Sequence, residues 1–145
     1  MKKIILVLAV SITALTAFAS DNTVDPRVLE SFKTEFTNAK EVSWVAGEDY
    51  FRAEFTFNEQ RVNAYYSPAG ELLGITRYIT SLDLPMNLQN SLRKSYSDFW
   101  ISDLFEVTKS ESTSYYITLE NADTKLVVKA TANDEWSVYK KTRKI

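Results

Sequence analysis

The side chains able to do chemistry in this 145-residue chain are its carboxylates, lysines, arginines and tyrosines, because it contains neither histidine nor cysteine. That closes the serine–histidine–aspartate and cysteine–histidine routes of catalysis, which need an imidazole base or a thiolate. It also removes the usual nitrogen and sulfur ligands of zinc. The carboxylates that remain are poorly placed for catalysis. Glu48-Asp49 and Asp123 fall in turns, whereas glycoside hydrolysis needs two carboxylates at a set separation, one raised in pKa by burial. Asn121-Ala122-Asp123 and Asn133-Asp134-Glu135 are too short for a calcium loop. With three glycines in the whole chain, there is no glycine-rich phosphate loop. The expectation is a protein with no enzymatic activity, no cofactor and no metal.

Tyrosine and arginine carry the more useful signal. They recur on the outward side of alternating segments, at Tyr50, Arg52, Glu54, Tyr65 and Arg77, and again at Tyr116, Lys129 and Tyr139. Asn63, Thr118, Glu120, Lys125, Lys141 and Arg143 share that outward side. Tyr and Arg are enriched in protein interfaces, since each joins a large contact area to polar ends. These eight residues form the candidate partner-binding face. The competing reading is a solvated sheet face on which tyrosines pair across strands. Trp44 and Trp136 sit at apolar positions that suit a core better than a sugar-stacking platform; Trp100, at a helix exit, is open to either. The run Lys140-Lys141-Thr142-Arg143-Lys144 reads as a charged, protective strand edge.

The elements that must position these residues follow from periodicity. Asp25-Pro26 is a helix entry, with Val28, Leu29, Phe32 and Phe36 at helical spacing, so a helix is predicted over 26–37. Strands are predicted over 41–45, 50–57, 61–66 and 72–79, with Val42, Trp44, Phe51, Ala53, Phe55, Phe57, Val62, Ala64 and Tyr66 facing inward. In the turn Ser67-Pro68-Ala69-Gly70, proline presets φ and glycine frees the last position. A second helix opens at Asp83-Leu84-Pro85, carries Leu88, Leu92 and Tyr96, and ends near Asp98. Strands are then predicted over 100–108, irregular at Ser102-Asp103, and over 115–120, 125–131 and 135–143.

A shift of about 64 residues lays the second half on the first: Val28 on Leu92, Ala53 on Ile117, Ala64 on Val128 and Leu72 on Trp136. A one-residue adjustment matches Val42 and Trp44 to Phe105 and Val107. The predicted fold is α+β: two tandem helix-plus-four-antiparallel-strand repeats, about 24–80 and 83–145, forming one sheet with helices on one face.

Residues 1–19 read as a secretory signal peptide, with Lys2-Lys3, an apolar run and the exit Ala17-Phe18-Ala19; residues 20–145 are then a single domain. Without Lys2 and Lys3, 15 basic residues face 19 acidic ones, a net charge of −4. That balance gives no support for nucleic-acid binding. No stable membrane insertion is expected after signal removal, and the expected location is periplasmic or secreted.

The succession of a helix, Val42-x-Trp44, an aromatic alternating strand, Tyr66-x-x-x-Gly70, Leu84-Pro85 and a second helix with its sheet half resembles the exported PepSY-like proteins described as β-lactamase-inhibitor-like. The resemblance spans about residues 24–145. It implies the duplicated helix-plus-strands plan and, by the related inhibitor fold, an open sheet face that grips a partner protein. It supplies no catalytic residue. The expected function is an exported, non-enzymatic protein-binding or inhibitor-like module of the cell envelope, a monomer binding an unidentified envelope or secreted protein. The alternative is a small-ligand or peptide carrier with a pocket between helices and sheet.

Overall fold

The computed structural model describes the backbone of residues 18–19 and all of residues 23–145. Helix α1 spans Pro26–Glu35. The Asp25 carboxylate accepts the Arg27 backbone N–H at 2.9 Å, and Pro26 takes the first helical position, where its missing donor costs nothing. Strands β2 to β5 follow at Lys40–Ala46, Phe51–Phe57, Gln60–Tyr66 and Leu72–Tyr78. A 3-10 turn over Ser81–Asp83 leads to helix α2, Met86–Ser95, and then to β6 to β9 at Trp100–Lys109, Ser112–Glu120, Thr124–Thr131 and Ser137–Arg143. All neighbouring strands are antiparallel and pair in sequence order.

The start of the second helix differs from the periodicity by more than the usual fraying of ends. Helix α2 begins after Pro85 rather than at Asp83, because the residue before a proline is driven to extended backbone; Leu84 sits at ψ 150°. Asp83 instead caps the 3-10 turn, its carboxylate accepting the Thr80 N–H and hydroxyl, each at 2.8 Å. The expected signal segment falls on residues 1–19, of which 1–17 lie outside the described residues. Its last two residues form a short strand, β1 (Phe18–Ala19), which pairs with Trp44 and Val45 of β2.

Two apolar clusters lie on the same side of the sheet. Val28, Phe32 and Phe36 of the α1 segment pack on Trp44, Phe55, Ala64 and Tyr66. Phe32 meets Trp44 and Phe55 edge to face, with centroids 5.2 and 5.0 Å apart, a geometry worth about 0.5–1.5 kcal/mol per pair beyond area burial. Leu88 and Leu92 of α2 pack on Leu104, Tyr115, Ile117 and Val128. Burial, reinforced by the nearby Glu35 carboxylate, pushes the Tyr66 phenol far up, so it stays neutral.

The inward assignments hold for Trp44, Ala53, Phe55, Val62, Ala64 and Tyr66. Val42 is the exception and is 38% exposed. Glu41 takes φ 53° and the β2–β3 register shifts between Lys40 and Ser43, a bulge that turns Val42 away from the core. The matching of Val42 and Trp44 to Phe105 and Val107 fails for the same class of reason. Trp44 and Leu104 point toward the helices, whereas Phe105 and Val107 point to the opposite face.

Each half of the sheet is tied to its helix by a strand-connecting turn. Gly70 lies at φ 89°, its N–H donates to the Ser67 carbonyl, and its own carbonyl accepts the Ser31 hydroxyl of α1 at 2.7 Å. In the second half, the Trp136 indole N–H donates to the Leu88 carbonyl at 3.0 Å, and the Asn87 amide to the Ala132 carbonyl at 3.1 Å. Where the halves meet, β5 pairs with β6 through Ile75–Thr108, Thr76–Val107, Arg77–Glu106 and Tyr78–Phe105. Arg77 binds Glu106 through two nitrogens, at 2.8 and 3.2 Å, and reaches the Gln60 side-chain oxygen at 2.7 Å.

Two stability outcomes follow. Gly70→Ala would place a Cβ 2.8 Å from the Arg27 carbonyl oxygen at a φ that favours glycine. It should destabilise the protein by about 1–3 kcal/mol in urea unfolding. Arg77→Ala leaves a half-buried carboxylate without its bidentate partner and should cost about 1–2 kcal/mol in the same measurement. An unchanged midpoint in either variant would contradict the corresponding contact.

Candidate functional site

Ladder register assigns each outward residue to a face. Arg52 stands opposite both Val45 and Tyr65, Glu54 opposite Asn63, and Asn63 opposite Thr76, all on the side away from the helices. That side is continuous across the junction. Ser43, Glu54, Asn63, Thr76, Val107, Ser114 and Thr131 form one unbroken cross-strand row from β2 to β8. Among the described residues, neither helix packs on it.

Beside this polar row runs an aromatic one. Tyr78, Phe105, Tyr116 and Lys129 are direct partners across β5, β6, β7 and β8. The Phe105 and Tyr116 rings are stacked with centroids 5.3 Å apart, and Tyr78 meets Phe105 edge-on at 6.4 Å. Tyr139 closes on Tyr116 at 5.6 Å, nearly perpendicular, and the Lys129 ammonium lies 5.4 Å from the Tyr116 ring centre. Tyr139 reaches this row because β9 carries a bulge, the register slipping between Val127–Lys140 and Val128–Val138. Tyr78 is 69% exposed and Tyr139 43%.

The first half of the face is different in kind. Tyr50 and Tyr65 pair at 5.6 Å, and Gly47 leaves the room that the Tyr50 ring occupies. The charges here neutralise each other: Arg52 binds Glu54 at 2.6 Å and Arg61 approaches Glu54 at 4.0 Å. The Arg52 Nε is buried without a hydrogen-bond partner among the described residues.

Seven of the eight candidate residues thus share the face: Tyr50, Arg52, Glu54, Tyr65, Tyr116, Lys129 and Tyr139. Arg77 does not. It follows Ile75 and precedes Ile79 on the helix-bearing side, where it forms the ion pair with Glu106. The reason is a bulge: Tyr65 pairs with Gly74 but Tyr66 with Leu72, so Leu73 is an extra residue and alternation counted from Leu72 is off by one. The same slip hid Tyr78, and the mistaken matching of Phe105 to the inward-assigned Val42 hid Phe105. An alternation anchored on Ile75 and Ile79 would have placed Tyr78 correctly. Trp44 is core and Trp136 is partly buried over α2. Trp100 is 54% exposed beneath the Lys144 ammonium, 4.9 Å from the ring centre.

The electrostatics are modest. Desolvation pushes the Asp103 carboxyl up, opposed by the Leu104 N–H and by Lys125. Glu120 is held below the usual carboxylate range by hydrogen bonding to Ser102 and Lys144. The space between helices and sheet is filled: Val28, Phe55, Tyr66, Leu88, Ile117 and Val128 are fully buried. Among the described residues no group of three or more acids could hold a metal, and no helix is long and apolar enough to cross a membrane.

No family model matches this chain, and no curated protein does. Solved structures do. A candidate periplasmic protein of Bacteroides eggerthii superposes with a TM-score of 0.72 at 19% identity, over 88% of this chain and 90% of its own. A DUF2874 family protein of Bacteroides ovatus gives 0.74 at 18% identity, over 83% and 88%. A BLIP-like protein of Bacteroides fragilis gives 0.69 at 14%, over 81% and 84%. The fold is BLIP-like. At these identities the likeness concerns the path of the backbone and not the residues of the face.

Asp103 yields a pH prediction. A carboxyl whose folded pKa is raised supports folding below its unfolded pKa and loses that support as pH rises through the folded value. Asp103→Asn should therefore gain stability relative to the wild type between acid and neutral pH, measured by urea unfolding at both. A gap that is the same at both ends would contradict the desolvation.

Proposed function

We propose that this protein is an exported, non-enzymatic protein-binding module of the cell envelope that presents the open face of its sheet to a protein partner. The observation that carries this reading is the in-register row Tyr78–Phe105–Tyr116–Lys129 with Tyr139 beside it, on a face that neither helix covers, with Tyr78 and Tyr139 exposed around the buried Phe105. Rigid aromatic side chains held by cross-strand contacts lose little conformational freedom on binding, which suits them as anchors. The likeness to a candidate periplasmic protein and to a BLIP-like protein supports an envelope setting. The matching order of helix and four strands in each half supports two tandem PepSY-like units. The filled interior gives no support to a carrier pocket between helices and sheet.

The test is affinity capture from envelope extracts on immobilised protein, comparing wild type, Tyr78→Ala/Tyr116→Ala, and Lys33→Glu on the exposed side of α1. Loss of a captured protein by about tenfold or more in the tyrosine variant alone is expected, since truncated aromatic anchors typically cost 2 kcal/mol or more. Equal capture by all three would overturn the reading.

A further inference from the structure

Resting on that reading, we infer that the partner surface is acidic and that it docks on the second half of the open face, over β5 to β9. The two halves differ in what they leave unpaired. On the first, Arg52 and Arg61 are both engaged with Glu54. On the second, Glu120 is engaged, facing Lys125 across the ladder and binding Lys144 at 3.1 Å, and Asp103 lies near Lys125 and Tyr78. Lys129 and Lys140, which point to this face from β8 and β9, have no carboxylate partner among the described residues. A protein with more acidic than basic residues thus carries unneutralised positive charge beside its aromatic row.

The rings beside these lysines have the same preference. Phe105 occupies one face of the Tyr116 ring, and Lys129 and Tyr139 approach from the strands on its other side. With its faces engaged, the ring has its edge left for a partner. Ring edges carry the positive end of the quadrupole, and the Tyr78, Tyr116 and Tyr139 hydroxyls can donate. A sugar would need a free ring face for stacking; a carboxylate needs donors and positive edges. Ammonium groups, phenols and ring edges together match Asp and Glu side chains around an apolar residue that meets Tyr78. The attraction falls with ionic strength.

The experiment is NMR titration of the isotope-labelled full chain with poly-L-glutamate, with alginate and poly-L-lysine as comparisons. Poly-L-glutamate should shift the amides of Tyr78, Tyr116, Lys129, Tyr139 and Lys140, and spare those of Lys33 and Lys94 on the helices. K129E/K140E should weaken the apparent affinity about tenfold or more, and the neutral K129Q/K140Q less, in the same direction. No shifts, shifts spread over all lysines, or an equal response to alginate would overturn the inference. The capture assay separates it from its parent: if K129E/K140E captures as the wild type does while the tyrosine variant fails, the face stands and the acidic partner falls. If neither variant loses capture, both fall.

Discussion

The junction between β5 and β6 is the constraint on which everything else rests. Each helix builds its own apolar cluster, and the two clusters share no residue. What unites them is a four-pair ladder reinforced on the helix side by the Arg77–Glu106 bridge. Without that seam there would be two small helix-covered sheets, each too short to carry an extended face. With it, the polar row from Ser43 to Thr131 and the aromatic row from Tyr78 to Lys129 both exist, because each crosses or begins at β5. On the helix side the seam carries one bidentate ion pair, which tolerates its partial exposure, between Ile75 and Ile79 that pack on the first and second cores.

The division of labour between faces follows. The helix side is closed by aromatic and aliphatic packing, and its turns are hydrogen-bonded to the helices through Gly70, Asn87 and Trp136. The open side is ordered by contacts within the sheet itself: stacked and edge-on rings, a lysine over a ring, arginines on a glutamate. Such a face keeps its shape without a second layer. It can therefore meet a partner with little rearrangement.

Much of this architecture was legible in the residues. The alternation from Phe51 to Phe57, the Asp25-Pro26 entry and the Ser67–Gly70 turn each express a local rule, and each stands as the periodicity predicts. The irregularity expected at Ser102-Asp103 is present as a register shift between Ile101 and Asp103. In β2 and β5 a single inserted residue misled the facing assignments. The bulge at Glu41 turned Val42 outward, and the one at Leu73 put Arg77 on the helix side and Tyr78 on the open one. Strand side chains alternate with a period of two, so one extra residue inverts every assignment counted past it.

The sequence by itself therefore determined the class of elements, their order, most of the inward positions and the exclusion of imidazole and thiol chemistry. These depend on local periodicity and on which residue types are present. Only the tertiary structure decided which side Arg77, Tyr78 and Phe105 occupy, and that Tyr78, Phe105, Tyr116 and Lys129 form one row. That depends on ladder register between strands far apart in the chain. Register is chosen by the cooperative packing of both helices against the sheet.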